Sequence, residues 1–163
     1  MAEPTWLTGV EASVAGANKK HLTIWNGAGS GKVVKVYLVK AAGAPTAAVT
    51  GQVIPLVCKR ITSAPTGGTN PGFAAAAAGE QALPAQITVT AAATGGAAET
   101  GPILGAGTVS GEETSMGAVV SLIDFEIEGT KPVELAEGQG LVVRQGALAS
   151  AGAVNISAVL SVV

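Results

Sequence analysis

The 163-residue sequence predicts an all-β fold, a single-domain β-sandwich or jelly roll of about eight short antiparallel strands with long loops. Three observations predict it. Runs rich in Val, Ile, Leu and Thr alternate with period two, which puts every second side chain on one face of a strand. The 23 glycines and 8 prolines interrupt the chain too often for the long 3.6-residue stripe of an amphipathic helix. Turn-forming clusters separate the alternating runs, and the length suits one sizeable core.

Residues 1–9 lack strand patterning and are expected as an N-terminal arm ahead of a sandwich domain at 10–163. "VEASVA" at 10–15 is a weak first strand. "KHLTIW" at 20–25 and "KVVKVYLVK" at 32–40 follow, joined by the glycine-rich "NGAGSG". "VIPLVCKRI" at 53–61 holds Pro55, which has no amide proton for a ladder, so an edge position or a bulge is expected. Residues 63–84 contain "SAPTGGTNPGF" and five alanines, Ala74 to Ala78, too few to stand as a helix. They are expected as a long surface loop, and 94–115 as a second one. Between them "QITVT" at 86–90 is a short strand. The clearest strand is "VVSLIDFEIE" at 119–128, with Val119, Ser121, Ile123, Phe125 and Ile127 on one face. Val120, Leu122, Asp124, Glu126 and Glu128 take the other. "GLVVRQ" at 140–145 is another strand, and "NISAVLSVV" at 155–163 aligns Ile156, Ala158, Leu160 and Val162.

Hydrophobic residues reach 48% but aromatics only 3%, so much of the apolar content is Ala and Val. Charged residues fall to 12%, about half the usual share. That suits a surface covered by partner subunits and opposes disorder, which needs high charge and few β-branched residues. A net charge of −2 gives no basic footprint for nucleic acid, so no nucleic-acid partner is expected. Seven of nine Lys and Arg precede position 61, and nine of eleven acids lie from Glu80 onward. This is either chance or head-to-tail complementarity between subunits. The one cysteine, Cys58, excludes an internal disulfide. "MAEPTWLTG" lacks the basic flank and apolar run of a signal peptide, and no stretch is apolar enough to span a membrane as a helix. A cytosol-like compartment without membrane contact is expected.

"IWNGAGSGKVVKVYLVK" comes close to a phosphate-binding loop. Such a loop needs a first glycine, four residues, then Gly-Lys and a hydroxyl that ligates Mg²⁺. Asn26 stands at the first glycine and Val33 at the hydroxyl, and the following run alternates like a strand. The segment is therefore expected to be a turn between strands, with glycines supplying positive φ. His21 is the only histidine and Asp124 the only aspartate, so a Ser-His-Asp triad and a two-histidine metal site both lack parts. His21, beside Lys19 and Lys20, is expected on the surface. Cys58 shares strand parity with Ile54 and Leu56 and is expected as a buried thiol. Asp124, Glu126 and Glu128 are expected as a solvated or intersubunit acidic face. No catalytic, metal or cofactor-binding residues, and no cofactor, are predicted.

"KKHLTIWNGAGSGKVVKVYLVK" at 19–40 and "KPVELAEGQGLVVRQGALASAGAVNISAVLSVV" at 131–163 resemble patterns in small structural proteins of tailed bacteriophages. Gly138-Gln139-Gly140 supplies the turn before the last two strands. Such proteins are similar to jelly-roll capsid decoration, or cement, proteins. The resemblance implies a structural, non-enzymatic subunit on the outer capsid surface of a virion, assembled in the host cytoplasm. Its implied partners are its own copies, as a homotrimer, and the major capsid protein. Trp6, Leu7 and Phe73 are the candidate partner contacts, apolar anchors with little local core to join. The alternative is a virion-surface or tail-associated module recognising carbohydrate or a host surface, for which Trp6, Trp25 and Tyr37 are the candidate aromatics.

Overall fold

A computed structural model describes residues 3–44, 53–110, 119–125 and 131–163. Its strands are β1 (Thr5–Val14), β2 (Lys20–Asn26), β3 (Val34–Ala44), β4 (Val53–Ile61), β5 (Pro65–Thr66), β6 (Ala74–Ala75) and β7 (Ile87–Ala93). They continue with β8 (Gly95–Gly96), β9 (Glu99–Ser110), β10 (Val120–Asp124), β11 (Val133–Leu135), β12 (Gln139–Gln145) and β13 (Ala153–Val162). The fold class is as expected, but the strands among the described residues number thirteen rather than about eight. Eight of them build two facing antiparallel layers, β10-β3-β13-β1 in sheet A and β2-β12-β4-β9 in sheet B. The chain changes sheet from β1 through β4, and again from β9 to β10 and from β12 to β13, in the manner of a jelly roll. The other five are additions: β7 flanks β2, β6 flanks β1, β11 pairs with β3, and β5 and β8 form a separate two-stranded sheet.

Alternation explains the core. Val34, Val36, Val39 and Ala41 of β3, with Ile156, Ala158, Leu160 and Val162 of β13, meet Ile54, Leu56 and Cys58 of β4 and Leu141 and Val143 of β12. Each fully buried Val, Leu or Ile contributes about 1.5–3 kcal/mol relative to exposure. With aromatics scarce, branched aliphatics do nearly all the filling. Where β9 and β10 close one side of the sandwich, the layers come so near that a Cβ on Gly105 would collide with the Leu122 carbonyl oxygen. Only glycine permits that approach.

Several expectations are corrected. The arm at 1–9 is not separate: β1 starts at Thr5 and pairs with β13 from Thr5↔Ser161 onward, inside sheet A. Its missed pattern is short, because a bulge between Val10 and Ser13 breaks the alternation. Pro55 is neither on an edge strand nor at a bulge. The β12 ladder ends at Gln145 opposite Leu56. At Pro55 only the carbonyl is needed, and it accepts the Gly146 N–H, while the Gly146 carbonyl accepts from Asn18. The expected loop at 94–115 contains the twelve-residue β9, an edge strand paired along β4. In 119–128 a bulge between Ser121 and Ile123 turns both Leu122 and Ile123 inward. Phe125 is only half-buried, and Glu126, Ile127 and Glu128 lie outside the described residues.

Candidate functional site: an open sheet face and a wrapped flank

The two sheets present very different outer faces. The outer side of sheet B is covered by the chain itself. Trp25 and Val142 point away from the core, and Ala97 packs over Val142 and Ile61 to form a second small cluster. The β5–β8 pair belongs to this covering strap, and Thr69 bridges to Ala91 at the β7 edge through two backbone hydrogen bonds. Glu99 anchors the strap's far end through ion pairs with Arg144 and Lys59.

Sheet A's outer face is unevenly open: Leu7 is exposed and Val159 half-buried, while Leu38 is buried. Antiparallel register puts directly opposed residues on the same face. Leu7, Val159 and Leu38 therefore form one row across β1, β13 and β3, and Gly9, Ser157 and Lys40 form the next. The row at Thr5, Ser161 and Lys35 is polar and closes the patch at one end. There the Glu3 carboxylate accepts from Lys35 Nζ at 2.7 Å, Ser161 Oγ at 2.8 Å and the Tyr37 hydroxyl at 2.9 Å. Those bonds, Lys35 first, pull the Glu3 pKa down to about 2.

The predicted contact residues take three different places. Trp6 is 6% exposed and lies in the main core, so it is not a surface anchor. Leu7, its neighbour on the opposite face, is 43% exposed. Phe73 is half-buried against the core's flank. The structure brings Leu7 and Phe73 to one groove of about 340 Å³, because β6 pairs Ala74 with Leu7. Residues 62–86 wrap this flank with only the two-residue strands β5 and β6, and most of their side chains are exposed. The loop expected at 63–84 is thus largely as read.

Groups with catalytic chemistry are held in structural roles. His21 is fully buried, a correction to the expected surface position. It is the residue skipped where β2 bulges between Lys20 and Leu22. Its Nδ1 lies 2.8 Å from Ser13 Oγ. Burial, helped by Lys19 and only partly countered by Gln145, pushes its pKa down to about 4. Ser13 is buried too, so this Ser–His pair has no opening for a substrate. Cys58 is buried as expected, and burial pushes its thiol up to about 12. Asp124 is exposed. Among the described residues no three His, Cys, Asp or Glu side chains group to hold a metal ion. Of the candidate sugar-stacking aromatics, Trp6 is buried, Trp25 sits under the strap, and the Tyr37 hydroxyl is bonded to Glu3.

The glycine-rich turn at 27–33 connects β2 to β3, as expected. Gly29 and Gly31 have φ of 80° and 64°, and their N–H groups converge on one anion. That anion is the chain's own Glu137, which accepts from Gly29 at 3.0 Å and Gly31 at 2.6 Å. These bonds hold the Glu137 pKa below the usual carboxylate range. Beneath them the side-chain amide of buried Asn26 donates to the carbonyls of Lys32 and Leu135, and the Asn26 backbone carbonyl accepts from the Gly138 N–H. The turns before β3 and before β12 are therefore clasped together. Sequence reasoning found the turn but not its clasp, since a glutamate more than a hundred residues away leaves no local signal. Compared with protein-family models, curated proteins and solved structures, the chain finds no match.

Proposed function

We propose that this protein is a non-enzymatic structural subunit that decorates the outer surface of a tailed-phage capsid and stabilises it, working in several copies against the major capsid protein. The observation that carries this reading is the wrapped flank. Residues 62–86 are a long, mostly exposed excursion that closes no pocket around reactive groups, and loops of that length are uncommon without a contact or catalytic task. They hold Phe73 beside Leu7 at an open apolar groove, the residue types that anchor interfaces. The resemblance of 19–40 and 131–163 to phage structural proteins supports the same reading. Those two stretches also form one physical unit, joined by the Asn26 and Glu137 bonds.

The test is co-sedimentation with capsid particles that lack the protein, followed by heat challenge. The full chain should bind and raise particle survival. Phe73→Asp should fold normally yet weaken binding by about tenfold or more, the scale of one interface anchor. Failure of the full chain to bind any shell would end the decoration reading. Undiminished binding by the variant would move the contact away from this flank.

A further inference from the structure

Of the four asparagines, Asn18, Asn26, Asn70 and Asn155, only Asn26 is followed by glycine. Asparagine is a thermolabile residue, and most so before glycine. There no side chain hinders the next backbone nitrogen from closing onto the amide carbon. Lys19 and Ile156 hinder that attack at Asn18 and Asn155, and the nitrogen of Pro71 has no proton to give up at Asn70. The fold needs both members of the vulnerable pair. Asn26 is fully buried, and its side-chain nitrogen donates to the Lys32 carbonyl at 2.8 Å and the Leu135 carbonyl at 2.9 Å. Its backbone pairs with Gln139 of β12 on one side and Ile87 of β7 on the other. Gly27 passes so near Gln86 that a Cβ would stand 2.9 Å from the Gln86 carbonyl oxygen. A larger residue at 27 would slow deamidation, but that contact leaves no room for one.

We infer that Asn26–Gly27 is a latent modification site, withheld from deamidation by the fold, and that a chain deamidated there before folding cannot close the joint between the turns. In the reaction the Gly27 nitrogen bonds to Asn26 Cγ and gives up its proton, while the Cγ–Nδ2 bond breaks and ammonia leaves with that proton. Water then opens the cyclic imide at either carbonyl, giving aspartate or its β-linked isomer, isoaspartate. The folded chain restrains each participant. The Gly27 N–H donates to the Gln86 carbonyl at 3.0 Å, the leaving nitrogen makes two hydrogen bonds, and Asn26 is shut off from solvent. Reaction must therefore wait on local opening. Once it has occurred, the joint cannot re-form. Aspartate sets a charge and no donor against two carbonyl oxygens, and a buried charge without a partner is costly. Isoaspartate adds a carbon to the main chain and disturbs the register of β2 with both neighbours. The proposal concerns how the chain reaches its fold and is independent of the capsid reading.

The experiment ages the full chain, warm and at mildly alkaline pH, either folded in buffer or unfolded in urea. A third sample, in urea at mildly acid pH where attack by the glycine nitrogen is slow, controls for time spent unfolded. Peptide mapping by mass spectrometry reads residue 26. In alkaline urea it should convert well ahead of residues 18, 70 and 155, and in the folded chain at least about tenfold more slowly. Each sample is then returned to native buffer and its protease-resistant fraction mapped. That fraction should keep the amide at residue 26, converted chains should be confined to the sensitive fraction, and the acid-held sample should refold in higher yield than the alkaline one. Four results would each overturn the proposal. They are equal conversion in folded and unfolded chains, an unfolded chain that keeps its Asn26 amide, converted chains as frequent in the resistant fraction as in the aged sample, and an acid-held sample that refolds no better.

Discussion

Trp6 and His21 show how a side chain's surroundings override what its neighbours in sequence suggest. Trp6 sits between a threonine and a leucine in a stretch without clear alternation, yet β13 pairs alongside and carries it into the core. Trp6→Ala should therefore cost about 3–5 kcal/mol, the range for emptying a buried aromatic site. Urea denaturation measures this, and a loss under about 1 kcal/mol would contradict the burial. Removing residues 1–9 should unfold the subunit rather than trim it. His21 makes a pH-dependent statement. Its folded pKa of about 4 lies below the ordinary 6.5. The unfolded chain thus takes up a proton as pH falls below about 6.5, while the folded chain waits until about 4. Stability contributed by keeping His21 neutral is full above pH 6.5 and drains away toward pH 4, by about 3 kcal/mol in all. Denaturation midpoints followed from pH 7 to 4 should fall more steeply for the parent than for His21→Gln. Equal slopes would show that other groups dominate.

At the level of elements, period-two alternation made most principal strands legible, and bulges hid the rest. β13, β12 and β4 keep their alternation and are legible as strands, and so is β2 beyond the bulge that buries His21. β10 was found but its parity failed, because one inserted residue puts Leu122 and Ile123 on the same side. Phe125 consequently borders the core rather than filling it. β9 has no clean alternation because three glycines and a proline interrupt it, and Gly105 and Gly107 answer to the neighbouring β10 rather than to local propensity. The glycine-rich turn was recognised as a turn, and the structure adds why it should refuse a nucleotide: its converging amides already hold Glu137. Calorimetry should find no ATP or GTP affinity tighter than about millimolar. In Glu137→Ala the amides of Gly29 and Gly31 should lose hydrogen-exchange protection while those of β12 keep theirs. Unchanged protection would mean that the carboxylate is not what orders the turn. Because the Glu137 pKa is depressed, the clasp should persist below the usual carboxylate range and loosen only as pH falls through that lowered value.

For the whole molecule, low charge raises the expectation of a surface covered by partners, but composition says nothing of where on the fold it would lie. Leu7 and Phe73 do reach one surface groove, whereas Trp6, expected beside them, lies in the core, since surface and core are decided by strands far apart in sequence. The row through Val159 had one signal, an apolar residue among the outward positions Asn155, Ser157 and Ser161 of β13. Only the register places Leu7 and Leu38 beside it, and of that row Leu7 alone is fully exposed. The order of strands has one more consequence. β13, the last strand of the sandwich to be synthesised, is also the central strand of sheet A, bonded to β1 on one side and β3 on the other. During translation, therefore, β1 and β3 emerge early with an empty lane between them. The layer cannot knit until its final member arrives. Residues on those two strands that end up inside, Trp6 among them, stay in need of shelter for most of the chain's production. Interrupted translation would yield a gapped sheet with two unsatisfied inner margins rather than a smaller barrel. A ribosome stalled just before residue 153 should hold a protease-sensitive nascent chain, and one that has cleared 163 a resistant one.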